Sequence, residues 1–152
     1  MSSVRSVFSL LLTTAFLLTG HGIHMTFLPL MASDIGLSQT VIGISGSAYF
    51  AGFISGALVT PHIIAKVGHI RSFTTLMAVF LCCFQILPMT DSGAIWILIR
   101  FLLGAVMCGA YTVIESWLAD QSQAERHGRV LSVYTAIVLI SMAFGQYLLG
   151  LT

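Results

Sequence analysis

Residues Ala94 to Leu118, AIWILIRFLLGAVMCGAYTVIESWL, decide the fold, because only Arg100 and Glu115 in this run carry charge. A hydrocarbon core about 30 Å thick is crossed by about 20 apolar residues in a helix, so a run of this length reads as a membrane span. Trp96 and Trp117 stand near its two ends, where interfacial aromatic side chains are favoured. Outward from it, the same reading gives spans over residues 7–31 (Val7 to Met31), 41–64 (Val41 to Ile64), 73–89 (Phe73 to Met89) and 130–151 (Val130 to Leu151), beside 94–118. The breaks are turn formers with a carboxylate at Ser33-Asp34-Ile35-Gly36 and Thr90-Asp91-Ser92-Gly93, and mixed charge at Pro61 to Arg71 and Asp120 to Arg129. The expected fold is all-α, a polytopic membrane bundle of five transmembrane helices.

Composition agrees. The chain has 152 residues, 57% hydrophobic and 7% charged, whereas a soluble domain carries about 25% charged residues and uses them to cover its surface. A formal net charge of +1 and the lack of a basic run give no attraction to nucleic acid. Cys82, Cys83 and Cys108 all fall inside apolar stretches without zinc-ligand spacing, and read as small core residues. Arg5 ahead of an apolar run resembles the start of a secretory signal, but the run continues past twenty residues with no small-residue cleavage pattern, so it reads as an uncleaved first span.

Every Lys and Arg outside a span lies before span one (Arg5), between spans two and three (Lys66, Arg71), or between spans four and five (Arg126, Arg129). Such alternation puts the N-terminus and those two loops in the cytoplasm, and Thr152 on the outer face. Close helix packing is signalled by Gly52 and Gly56 on span two and by Ala105 and Gly109 on span four, where small residues four apart let backbones approach.

Three motifs stand in order along the chain. Pro61-His-Ile-Ile-Ala-Lys-Val-Gly-His-Ile-Arg71 joins spans two and three, Arg100-Phe-Leu-Leu-Gly104 opens span four, and Ala119-Asp120 with Glu125-Arg126-His127-Gly128-Arg129 precedes span five. They resemble, respectively, the G-x-x-x-D-[RK]-x-G-[RK]-[RK] loop, the R-x-x-x-G signature and the acidic-then-E-R-G-R loop of major facilitator superfamily transporters. With Ile114-Glu-Ser-Trp-Leu118, the sequence is most similar to the YcaD-like bacterial subgroup of that superfamily. The first motif is partial. Lys66 and Gly68 match, but Pro61 stands for the first glycine, Ala65 for the acidic residue, and His69 and Ile70 for the basic pair, with Arg71 one place late.

The resemblance implies that residues 1–152 are a partial N-terminal six-helix half of a transporter whose intact form moves a small-molecule substrate by alternating access, with protons as a candidate coupling ion. It implies a multi-pass protein of the bacterial inner membrane whose partners are the lipid bilayer and a missing C-terminal half. No bound cofactor is implied. A cytoplasmic latch of Lys66, Gly68, His69, Arg71, Asp120 and Arg126 is expected, and in the absence of an acid at position 65 it must use another carboxylate. Span five reads Gly145-Gln-Tyr-Leu-Leu-Gly150 where many drug/proton antiporters of the superfamily have Gly-Pro, so drug export is not supported.

Charge inside a span costs about 2.5–3.5 kcal/mol by insertion scales and normally faces a cavity or a partner. Arg100, Gly104, Cys108, Tyr111 and Glu115 share one face of span four, and the resemblance places that face toward a substrate or proton pathway. The competing reading of Glu115 is a plain ion pair with Lys66 or Arg126. His21 and His24, three apart on span one, form an incomplete metal site, so metal is not expected, and a proton-carrying or substrate-bonding role suits an imidazole better. Arg100 and His24 are expected at similar depth. Gln146, Gln85, Tyr49 and Thr112 are weaker candidates of the same kind. Two other classes compete. Gly43-Ile-Ser45-Gly46 matches the G-x-S-G of rhomboid intramembrane serine proteases, but His62, His69 and His127 lie on the opposite side of the membrane from Ser45, leaving only His21 or His24 as a base. A non-transporting structural remnant is the third reading. The expectation adopted is a transporter and not an enzyme.

Overall fold

The computed structural model of the chain describes residues 2–121 and 127–151. Five long helices follow one another: α1 (Ser2–Asp34), α2 (Gln39–Val67), α3 (His69–Ile86), α4 (Gly93–Gln121) and α5 (His127–Leu149), with a 3-10 turn at Leu87–Met89 after α3. Each of the five is long and apolar enough to cross a membrane. The spans read from hydropathy are all present, and the helices overrun them except at the ends of α3, which stops at Ile86, and α5, which stops at Leu149. Residues 61–71, expected to form a connecting loop, are helical except at Gly68. Lys66 and Arg71 therefore lie within helical turns, on either side of the single break at Gly68. Pro61 is carried inside α2, and Pro29 inside α1, as membrane helices tolerate.

Gly68 alone separates α2 from α3. Its φ of 81° and ψ of 169° lie in a region open essentially to glycine. Its N–H donates to the Ile64 carbonyl at 2.8 Å, and its carbonyl accepts from the Ser72 N–H at 3.1 Å and the Ser72 hydroxyl at 2.7 Å. One residue thus closes one helix and opens the next. The expected turn after α1 is a Schellman motif: Gly36, at φ 83°, donates to Ser33, and Leu37 donates to Ala32, both at 3.0 Å. Ser38 then caps α2, its hydroxyl accepting from Val41 N–H at 3.3 Å.

The chain parts into two compact units, residues 1–31 with 115–152, and residues 32–114. In the first, α1 and α5 meet backbone to backbone. A Cβ at Gly145 would strike the carbonyl of Thr19, and one at Gly22 the carbonyl of Met142. Leu10, Thr14, Leu18, His21 and Leu28 form the buried stripe of α1, and Tyr134 and Ser141 are buried on α5.

In the second unit, α2 presents Ser45, Tyr49, Gly52, Gly56 and Thr60, all buried and spaced by four, three, four and four. This is one helix face. Gly52 lies against the Phe101 carbonyl, Gly56 against the backbone of Ala105, and Gly104 against the Tyr49 carbonyl, so α2 and α4 interlock through glycines from both sides. The small-residue spacing read on spans two and four is this contact. Gly109 extends it, facing the Thr60 hydroxyl and Leu76 of α3.

Two expectations are corrected here. Trp96 is 1% exposed and its indole N–H donates to the Thr90 carbonyl at 3.0 Å, so it closes the start of α4 and is no lipid-facing interfacial residue. Cys82 is exposed, while Cys83 and Cys108 are buried as expected. Phe50, Ile54, Leu58, Ile70, Leu81 and Leu98 point outward. Such an apolar exterior suits lipid, because the backbone groups along the length of a helix bond one another and need no water.

Candidate functional site

Arg100 sits on the first third of α4, one turn before Gly104. Because Gly104 lies under the Tyr49 carbonyl, the same face carries Arg100 to the α2 contact, and its guanidinium carbon stands 5.0 Å from the centre of the Tyr49 ring. Around them, Tyr49 and Phe53 have ring centroids 6.4 Å apart, and Phe53 and Tyr111 6.2 Å apart. An aromatic cluster therefore flanks one buried cation. Arg100 is 5% exposed. No carboxylate pairs with it, and its Nη1 has no hydrogen-bond partner, among the described residues.

The magnitudes matter. A cation over an aromatic face gains about 0.5–2 kcal/mol, whereas the effective penalty for taking an ion out of water is several kcal/mol. Tyr49 alone does not offset the burial of Arg100. A guanidinium has five N–H donors in a planar fork and keeps its proton, so neutralisation is no escape either. What the arrangement can do chemically is bind a further acceptor, ideally a charged one.

The face expected to run from Arg100 to Glu115 exists, but its parts differ. Gly104 is closed against α2, Cys108 is buried, Tyr111 is half-buried, and Glu115 is exposed and makes no ion pair among the described residues. The middle of the stripe is therefore a helix contact and not an open wall. Thr112 hydrogen-bonds to the Cys108 carbonyl at 2.9 Å, and Gln85 and Gln146 are exposed.

In the other unit, His21 and His24 are each 3% exposed, with rings stacked at 5.9 Å and 28°. Three-residue spacing on a helix puts them on neighbouring positions, as expected. The structure thus pairs His21 with His24 and Arg100 with Tyr49. Arg100 and Tyr111 belong to the 32–114 unit, and His21, His24, Glu115 and Gln146 to the other.

At the motif between α2 and α3, Lys66 and His62 lie toward the end of α2, Gly68 is the junction, and His69 and Arg71 start α3. Lys66, Arg71 and Asp120 are exposed and His69 is half-buried, while Arg126 lies outside the described residues. A depression of about 380 Å³ along α2 is lined by Leu58, Val59, His62, Ile63 and Lys66. Ser45 of the G-x-S-G match is buried in the α2 contact face and donates to the Ile42 carbonyl at 2.8 Å, a packing role. Sequence reading ranked Tyr49 low. Its signal was its place on the period that also holds Ser45, Gly52, Gly56 and Thr60.

Comparison with known proteins addresses the whole chain. The chain is 27% identical over 151 residues to proteins described as "Uncharacterized MFS-type transporter YcaD" from Escherichia coli strain HS, the Crooks strain and strain SMS-3-5. In each case the match covers 99% of this chain and 40% of the relative, so the chain spans well under half the length of these relatives. No solved structure matches significantly. The profile of the Major Facilitator Superfamily matches residues 10–152, and on that match, with five membrane-crossing helices in place, the chain belongs to the Major Facilitator Superfamily.

Proposed function

We propose that this chain forms part of a secondary transporter that moves a small solute across the membrane by alternating access. Residues 1–152 would supply most of an N-terminal six-helix half, rocking against a C-terminal half around a site near the bilayer midplane. Family membership supports the class. The observation that carries the site is Arg100, a cation buried in a span without a carboxylate partner among the described residues, because ionisable groups in such places serve transport pathways by default.

Protons are the coupling ion in this reading, since His21 and His24 are buried on α1 and imidazole is the side chain that titrates near neutrality. The motif resemblance supports a cytoplasmic latch role for Lys66, Gly68, His69 and Arg71 and, in their own loop, for Asp120 and Arg126. One-sided placement of Lys and Arg supports a cytoplasmic N-terminus in the inner membrane.

The test is uptake into proteoliposomes. The full product of the reading frame should show saturable solute uptake driven by an imposed pH gradient, and residues 1–152 alone should show none. Gradient-driven uptake by the 152 residues alone, or none by the full product across a broad solute panel, overturns the reading.

A further inference from the structure

Arg100 offers more than a pathway position. Three observations converge on it: the residue is only 5% exposed, its Nη1 is buried with no hydrogen-bond partner, and no carboxylate pairs with it, the last two among the described residues. Elsewhere in the chain the acids are Asp34, Asp91, Glu115, Asp120 and Glu125. Asp34, Asp91 and Asp120 lie at helix ends or between helices, Glu115 is exposed on α4, and Glu125 lies outside the described residues. Among the described residues, then, a cation is buried within a span with no carboxylate against it.

We propose that Arg100 recognises an oxyanion on the transported solute, so that the substrate class is a small organic carboxylate or phosphate monoester. The inference rests on the transport reading above. Physically, the Tyr49 ring covers one face of the guanidinium, at 5.0 Å. That leaves the edge of the planar fork, where N–H donors meet carboxylate or phosphate oxygens in pairs. The neighbouring rings of Phe53 and Tyr111 supply apolar surface for the organic part of the solute. An oxyanion neutralises the buried charge and satisfies the donor in one event, which a neutral solute does not.

Thermal unfolding of the purified full product reads this directly, since a ligand that binds only the folded state raises the melting temperature. The probes are benzoate, phenyl phosphate and, as the uncharged counterpart, benzamide. Benzoate or phenyl phosphate should raise the melting temperature saturably, and which of the two acts distinguishes carboxylate from phosphate. Benzamide should not. The winning anion should bind Arg100→Lys and Arg100→Gln at least about tenfold more weakly, as expected when a charged hydrogen-bond partner is altered, and bind Ser92→Ala like the parent. Stabilisation by benzamide equal to that by the anions, undiminished anion binding in Arg100→Gln, or no anion effect on the parent overturns the proposal. The parent's three-probe comparison stands even if a variant fails to fold. Gradient-driven uptake of some solute without anion binding sinks the oxyanion assignment and leaves transport standing. Arg100-dependent anion binding without any uptake does the reverse.

Discussion

The backbone carbonyl of Tyr49 occupies the space that a side chain would need at Gly104. Because the crowding atom is backbone, it can move only if the helices part. Gly104→Ala should therefore destabilise the protein by about 1–3 kcal/mol, the usual cost of overpacking, and Gly52→Ala, which meets the Phe101 carbonyl, should act likewise. Gly46→Ala is the control, since a Cβ there meets nothing within 4 Å. Replacing that helical glycine should be neutral or stabilising by up to about 1 kcal/mol. Unfolding in detergent ranks the three, and equal stabilities would contradict the interlocked contact.

At the α2–α3 junction the constraint is conformational. Gly68→Ala should cost about 1–3 kcal/mol, because alanine is strained at a φ of 81° with ψ near 169°. Ser72→Ala should cost about 0.5–1.5 kcal/mol through its lost hydrogen bond to the Gly68 carbonyl. Gly128→Ala, on open surface in α5, should cost neither. Indifference at Gly68 would mean that the junction is not the single-residue break described.

Orientation is checked with single cysteines at Asp91→Cys and Arg71→Cys in a Cys82→Ser background, because Cys82 is exposed. An impermeant thiol reagent applied outside should label position 91, and position 71 only after permeabilisation. The opposite pattern would invert the topology inferred from Lys66, Arg71 and their loop partners.

Buried imidazoles on α1 predict pH-dependent transport. His24→Gln and His21→Gln should change the profile of uptake between about pH 5 and 8, where an imidazole titrates, while membrane insertion is retained. Superimposable profiles for parent and both variants would remove the pair from the coupling mechanism.

Much of this was legible in the chain and some was not, for identifiable reasons. Hydropathy finds all five spans because the bilayer demands long apolar runs. It ends span two at Ile64, short of the helix end at Val67, because a lysine interrupts an apolar run without stopping a helix. Small-residue spacing at Gly52, Gly56, Ala105 and Gly109 identifies a close contact but not its partner, and the α1–α5 crossing, where Ser141 and Gly145 repeat that spacing on α5, was not read from the chain. Arg100 stands out as a charge in an apolar run. That Tyr49 lies beneath it depends on the rotation of α2 against α4, which one-dimensional spacing does not carry.

Arg100→Met separates function from packing most directly. If Arg100 is retained for transport, an apolar replacement of similar length removes a buried, incompletely satisfied charge, and such exchanges are often neutral or stabilising by about 1–4 kcal/mol. Measured together on the full product in proteoliposomes and detergent, Arg100→Met should melt at or above the parent's temperature while losing solute uptake at every pH between about 5 and 8, the range over which imidazole coupling would show. A variant that melts several degrees lower and still transports as the parent does would make Arg100 a structural residue and contradict the account.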